Sequence, residues 1–287
     1  MVKQRPGGGN STFSLGFPER SYSELDWSSD TAAYLDVENF EHVLQTNEDV
    51  GLERIIYFAD EPFADTSIIP LYHLAAFARR HVTVCLSGDG ADEILGGYET
   101  YVADRMRHAT QFIPRSVTRT LGQMLETLWQ PSFDKVSNDY KIKQFLHGHG
   151  LDPIAAHYSW RTIFSDAEKR RMLRDQPDWE NAEDGACNRF REIARDVEGC
   201  HYLDQAMYVD IKTWLVDDIL TKVDRATMAH SLEARVPFLD HRLVEFAASL
   251  PVNWKLKGLR KKHLLKESQR KTLPDRVLNR KKRGFNA

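Results

Sequence analysis

The residues of this chain best equipped for chemistry are Ser87, Gly88, Asp89, Gly90, Asp92 and Glu93, inside VTVCLSGDGADEILGGY at 82–98. Two glycines one residue apart let the backbone turn sharply and approach a ligand with no Cβ in the way. A helix opening after such a turn points unpaired N–H groups outward, which makes a corner that binds anions. Asp92 and Glu93 fall at or near the first turn of that helix, where the dipole favours negative charge, and Gly96 and Gly97 end it. Two carboxylates repel a bare phosphate but hold Mg²⁺, which bridges carboxylate and phosphate oxygens. Nucleotide with magnesium is one reading, and an ordinary strand-to-helix turn with solvated acids is the other. A dinucleotide fingerprint is excluded, because Glu93 stands where the third glycine of G-x-G-x-x-G belongs.

The elements that must position this corner are short. Val82, Val84 and Leu86 alternate with Thr83 and Cys85, which predicts a buried strand running into the turn. TFSLGF at 12–17 predicts a second strand, ending at Gly16, and NFEHVL at 39–44 a third. Residues 21–34 have a weak helical pattern. Clearer helices are predicted at 50–58 and 67–80, the second with Ile68, Leu71, Leu74, Ala75 and Ala78 on one stripe. Between those two lies an acidic, proline-broken loop, DEPFAD at 60–65. Strand and helix in alternation predict an α/β fold, a parallel sheet with flanking helices. Ligands bind beyond the carboxyl ends of such strands, so Gly16 and Gly88 are expected together.

From 100 to 201 strand signals vanish, and stretches such as 117–128 and 186–196 predict a helical elaboration with no visible chemistry. Trp129, Trp160 and Trp179 are read as packing residues. A helix is predicted over 202–220, with Leu203, Met207, Ile211, Leu215 and Ile219 on its apolar side. It leads into Lys222, Asp224, Arg225, Glu233, Arg235 and Asp240, charges that do not keep to one face. Ion pairs around a site and ion pairs that hold helices together both fit them. The end is basic, from Lys255 to Arg283. A solvated face is the common outcome for such a run, and RNA is disfavoured because no interleaved aromatics follow Trp254.

Composition sets the outer limits. With 287 residues, 41% hydrophobic, 28% charged and a net charge of −3, the chain has material for a substantial core and no reason to seek a membrane or nucleic acid. No apolar run approaches the ~20 residues of a membrane span. Residues 1–11 lack the apolar centre of a secretion signal and read as a flexible lead, so the cytoplasm is the expected compartment. Cys85, Cys187 and Cys200 form no C-x-x-C pair and are expected reduced, without zinc.

LSGDGADEILGGY, KVDRATMAHSLEARVPFLDHRLVEFA and the closing RKKRGF resemble the synthetase domain of glutamine-hydrolysing asparagine synthetases, with β-lactam synthetases as cousins. The resemblance covers most of 12–285 and is weakest in the helical middle. It implies an ATP pyrophosphatase fold, built of an α/β nucleotide-binding part (12–98), a helical elaboration (99–201) and a helical part completing the site (202–287). The implied chemistry has two steps. The side-chain carboxylate of aspartate, or of a related acceptor, attacks the α-phosphorus of MgATP, giving an acyl-adenylate and pyrophosphate; ammonia, supplied free or by a glutaminase domain or subunit, then displaces AMP. Carried over by position, Leu15 and Gly16 meet adenine, Ser87, Gly88 and Gly90 form the turn beside the nucleotide, and Asp92 holds Mg²⁺. Asp89 stands near the acceptor, where many relatives have Glu. Tyr98 is carried over as a catalytic position from the β-lactam enzymes, within a GGY motif that both families share. Lys262 resembles the lysine that stabilises charge on the α-phosphate.

The departures from the family pattern carry expectations of their own. No SGGxDS loop precedes the TFSLGF strand; the run Gly7, Gly8, Gly9 is a faint echo without the aspartate. The family places that loop after a strand lying between those matching TFSLGF and VTVCLS, so those two strands are expected to face a gap. The glutaminase domain has no counterpart either. A fragment or split enzyme is therefore expected, whose loop another chain supplies, and which alone binds ATP weakly and makes no asparagine. Another amidotransferase, a ring-closing synthetase and a non-catalytic partner subunit are the alternatives.

Overall fold

A computed structural model describes residues 10–19, 22–45, 51–114, 116–118, 120–121, 124, 138–164, 166–173 and 185–280. The predicted helix at 117–128, Trp129 and Trp179 lie largely or wholly outside that set. In chain order the first elements are β1 (Ser11–Gly16), α1 (Leu25–Leu35), β2 (Glu38–Val43), α2 (Leu52–Ala59), α3 (Ile68–Arg79), β3 (Val84–Leu86), α4 (Ala91–Ile94) and α5 (Glu99–Ala109). Helices at Asn138–His149, Pro153–Ser159, Asp166–Leu173, Gly185–Arg195 and Tyr202–Lys212 follow, and then come Thr221–Met228, β4 (Glu233–Arg235) and His241–Ser249. The result is a mixed α/β chain, rich in helix, whose strands all pair in parallel.

Parallel sheet forms as expected, but among the described residues not as a single sheet. Two separate parallel pairs stand in its place: β1 with β2, from Ser11 opposite Glu38 to Gly16 opposite Val43, and β3 with β4, from Val84 opposite Glu233 to Leu86 opposite Arg235. Neither β1 nor β3 has a second strand partner among the described residues. The expectation of a buried strand at 82–86 is corrected accordingly. Leu86 is 74% exposed and Val84 39%, because among the described residues β4 alone pairs with β3.

The fold divides into two compact units. One gathers Met1–Gly90, Trp214–Val244 and Leu264–Ala287; the other gathers Ala91–Thr213 and Glu245–His263. In the first, the apolar stripe of α3 buries Ile68, Ala75 and Ala78 against Ile55 and Ala59 of α2 and against Ala226 and Leu232. In the second, Tyr101 and Val102 of α5 pack on Leu203, Ala206, Met207, Val252 and Leu256. Its helix Pro153–Ser159 starts where Asp152 accepts from the N–H of Ala155 and a proline takes the first helical position.

The helix predicted for 202–220 changes type partway. It is α-helical over Tyr202–Lys212 and a π-helix over Trp214–Leu220, a widening that apolar spacing alone does not announce.

Candidate active site

The glycine corner is built as its residue types require. Gly90 has φ +85°, and a Cβ there would run into the Leu239 side chain. Within the turn, the Ser87 hydroxyl bonds the Asp89 carboxylate, which orients that acid. Gly88 has open space where a Cβ would point. Leu15 is buried at the end of β1, and Gly16 is packed so closely by Leu25 and Ser23 that any side chain would collide. These residues belong to the first unit. Each glycine ends or follows a strand as expected; the two strands are not hydrogen-bonded to one another.

Asp92, Glu93, Tyr98 and Lys262 belong to the second unit. The one-turn helix α4 carries Asp92 and Glu93 in its first turn, and Gly96, at φ +65°, closes it, with the N–H of Gly97 bonding the Asp92 carbonyl at 2.8 Å. Lys262 Nζ lies 2.9 Å from Asp92 Oδ1, with about a quarter of the lysine and a fifth of the aspartate side chain exposed. Two features make that contact specific. A Cβ on Gly97 would overlap both the Asp92 carboxylate and the Lys262 side chain, so only glycine leaves room for the pair. Lys262 also adopts φ +50°, a left-handed conformation that a non-glycine residue holds only when its surroundings enforce it.

The lysine-rich end is not one solvated face. Lys255 is buried and pairs with Asp204 at 2.8 Å, Lys261 pairs with Glu99, and Lys262 reaches Asp92. Short helices and turns aim successive cations in different directions, which breaks the single face that charge counting assumes.

Glu93 points inward. It is 1% exposed, and Tyr98 Oη donates to it at 2.5 Å. Burial pushes the Glu93 carboxyl up, against the Tyr98 hydrogen bond and with help from neighbouring Asp92. The Tyr98 hydroxyl is pushed up as well, by burial and by the adjoining Glu93 charge. Arg161 stacks over the Tyr98 ring at 4.8 Å and pairs with Asp210. His157, fully buried, sits between Asp104, 2.7 Å from Nδ1, and Asp210, 3.0 Å from Nε2. Tyr101 lies parallel to the imidazole at 5.9 Å. Burial alone would lower the His157 pKa, but Asp210 and Asp104 outweigh it and bring it to about 9; the same ring and Arg161 hold Asp210 at about 2 against its own burial. At neutral pH the imidazolium donates from both nitrogens.

The sequence reading missed this network, having found no chemistry between 100 and 201. Asp210 on an apolar helix stripe and His157 in PIAAHYS were the available signals. In the first unit Lys222 bonds the Asp65 carboxylate and, at 2.8 Å, the Ser67 hydroxyl, and Arg225 pairs with Asp60 at 2.7 Å. These pairs tie Thr221–Met228 to the acidic loop ahead of α3, which is the helix-holding option.

Among the described residues no group of three His, Cys, Asp or Glu side chains is placed to hold a metal. Asp92 offers one carboxylate. That fits Mg²⁺, which needs one or two protein carboxylates when substrate oxygens and water complete its shell.

The chain is thus mixed α/β, with a glycine turn closing β3 in one unit and, in the other, a carboxylate in the first turn of α4 paired with a lysine. The asparagine synthase family model matches residues 1–287, and the chain belongs to that family. It is 35% identical over 281 residues to asparagine synthetase (glutamine-hydrolysing) 1 of Bacillus subtilis, covering 96% of this chain and 42% of that protein. A putative asparagine synthetase of Mycobacterium tuberculosis is 33% identical over 276 residues, covering 96% and 40%. The amidase chry2 of Gibberella zeae is 24% identical over 279 residues, covering 89% and 40%. The chain thus spans about two-fifths of the length of these relatives.

Proposed function

We propose that this chain carries the synthetase half of an asparagine synthetase-type reaction on an ATP pyrophosphatase fold, in the cytoplasm. Aspartate's β-carboxylate attacks the α-phosphorus of ATP, pyrophosphate leaves, and ammonia displaces AMP from the β-aspartyl-adenylate. The activation is necessary because a carboxylate accepts an amine poorly until one of its oxygens belongs to a good leaving group. The observation that carries the proposal is the Lys262–Asp92 pair beside a helix N-terminus, in a chain of this family.

Each residue has a role in this reading. Leu15 and Gly16 border adenine, while Ser87, Gly88 and Gly90 present backbone to the ribose and phosphates. Lys262 neutralises charge building on the α-phosphate, the kind of preorganised stabilisation that supplies most of the catalysis when positioning is the main task. Asp92 would hold Mg²⁺, which supplies charge neutralisation on the pyrophosphate oxygens. Asp89, braced by Ser87, faces the acceptor. For Tyr98 the proposal changes the expected role: a hydroxyl with a raised pKa, donating to a buried carboxylate, positions Glu93 and does not exchange protons.

Hydroxylamine trapping tests the first step. The chain, supplied with MgATP, aspartate and a peptide carrying the SGGxDS loop, is expected to yield β-aspartyl hydroxamate and pyrophosphate together, and Lys262→Ala to lose both. Hydroxamate from a different carboxylate in preference to aspartate would favour the ring-closing or other amide-forming alternative. No hydroxamate from any carboxylate would favour a non-catalytic subunit.

A further inference from the structure

Three segments of the second unit turn polar side chains toward one another. Tyr98, Tyr101 and Asp104 recur at helical spacing from the N-cap of α5 onward and share one face of it. His157 and Arg161 lie on the helix Pro153–Ser159 and the turn that follows, and Asp210 is fully buried on Tyr202–Lys212. The turn holding Arg161 is itself fixed. The Arg161 N–H bonds the Tyr158 carbonyl at 2.9 Å, and the indole N–H of neighbouring Trp160 bonds the Gln144 carbonyl at 3.1 Å. Contacts then run in series from Asp104 to His157, His157 to Asp210, Asp210 to Arg161, Arg161 to the Tyr98 ring, and Tyr98 to Glu93.

The series ends on an element that cannot orient itself. α4 has four residues, a single turn, and nucleating a turn costs more than its one hydrogen bond returns. Its orientation comes from what its side chains meet. Ala91 and Ile94 bury apolar surface, an attraction without direction. Glu93 supplies the directional contact, accepting from Tyr98 while 1% exposed. Asp92 comes one residue earlier, about 100° round the helix axis, and is left facing Lys262.

We infer that Arg161 is a positioning residue of the adenylation site: clamped by Asp210, its guanidinium fixes the Tyr98 ring, Tyr98 fixes Glu93, and Glu93 sets the turn of α4 that presents Asp92 to the magnesium nucleotide. What Asp92 meets rests on the proposed function; the clamp itself does not. Burying an ion pair adds little stability over apolar side chains of the same volume, since desolvation offsets the attraction, so the network's use lies in the single orientation it imposes. Arg161 suits the task because a guanidinium pairs with a carboxylate at its edge while its flat face lies on a ring, which an ammonium cannot do. His157 acts one step behind it. The imidazole Nε2 takes Asp210 Oδ1 and Arg161 takes Oδ2, so the carboxylate is fixed at both oxygens.

Arg161→Lys keeps a charge beside Asp210 and removes the flat face over Tyr98. The first readout needs no nucleotide. The Gly97 amide, bonded to the Asp92 carbonyl, closes α4, and its hydrogen exchange reports how firmly that turn is held. Exchange at Gly97 is expected to quicken about tenfold, the size of a desolvated cation–ring contact. Amides of Ile193 and Val209, in a separate apolar cluster of the same unit, should exchange as in the native chain. In a Tyr98→Phe chain, where the ring no longer holds Glu93, Arg161→Lys should add about twofold or less, since both changes break one series. Unchanged exchange at Gly97 overturns the inference. So does equal acceleration at Gly97, Ile193 and Val209, which makes Arg161 a structural residue only, or full addition on top of Tyr98→Phe, which routes the effect elsewhere. The second readout is MgATP affinity, expected to fall about tenfold with Arg161→Lys in the native background and to stay unchanged in Asp92→Asn. Equal weakening in both backgrounds overturns the inference. A native chain that binds no MgATP counts against the adenylation reading, and the exchange measurement then decides the clamp by itself.

Discussion

Lys262 Nζ and Asp92 Oδ1 meet at 2.9 Å although 170 residues separate them in the chain, and Gly97 lies against both side chains. The contact accounts for glycine at 97, where a Cβ would overlap both side chains, and Lys262 meets it from a left-handed backbone.

Gly97→Ala tests that packing. The added methyl overlaps the Asp92 carboxylate and the Lys262 chain, and forcing it in is expected to cost about 1–3 kcal/mol. Thermal unfolding should fall by several degrees, with a larger loss of ATP affinity than Gly88→Ala causes, since the Cβ of residue 88 would enter open space.

Tyr98→Phe removes the donor to Glu93 and leaves a buried carboxyl without it, a loss of about 1–3 kcal/mol. If Tyr98 positions Glu93, ATP affinity should survive in the folded variant, and the pH profile of hydroxamate formation should keep its shape. Disappearance of a titrating limb from that profile would restore tyrosine as a proton carrier.

The His157 network sets a pH dependence of stability. Its folded pKa, about 9, is above the ordinary value of 6.5, so the stabilisation is fully present below 6.5 and is lost as pH rises through about 9. That loss is on the order of 3 kcal/mol. Melting temperature should decline from pH 6.5 to 9.5 in the native chain; His157→Gln should melt lower and lack that decline. A native chain as stable at pH 9.5 as at 6.5 would contradict the buried imidazolium.

Lys222→Ala strands the Asp65 carboxylate and is expected to cost about 3 kcal/mol, at the low end for a buried pair because about a fifth of Asp65 remains exposed. Lys222→Met with Asp65→Asn should recover much of it in a urea titration, since the pair is read as structural. No recovery would point to a role beyond holding helix to loop.

Much of this was legible from residue types alone. The runs TFSLGF and NFEHVL, the stripe of α3 and the glycines around 88–97 each state a local rule, and local rules produced β1, β2, α3 and α4. The site was legible through its glycines and acids. Two things were not. The buried quartet of Asp104, His157, Arg161 and Asp210 comes from three segments distant in sequence, and a lone histidine among small residues reads as core. The exposure of β3 depends on which strands lie beside it, which periodicity within VTVCL does not express.

The most direct test of the central claim is equilibrium dialysis of MgATP against the native chain, Asp92→Asn and Lys262→Ala. We predict measurable, weak binding by the native chain and at least about tenfold weaker binding by Asp92→Asn, the range lost with a charged contact of about 1.4 kcal/mol or more. Native and variant chains with equal affinity, or no binding by any of them, would contradict a nucleotide role for the Lys262–Asp92 corner.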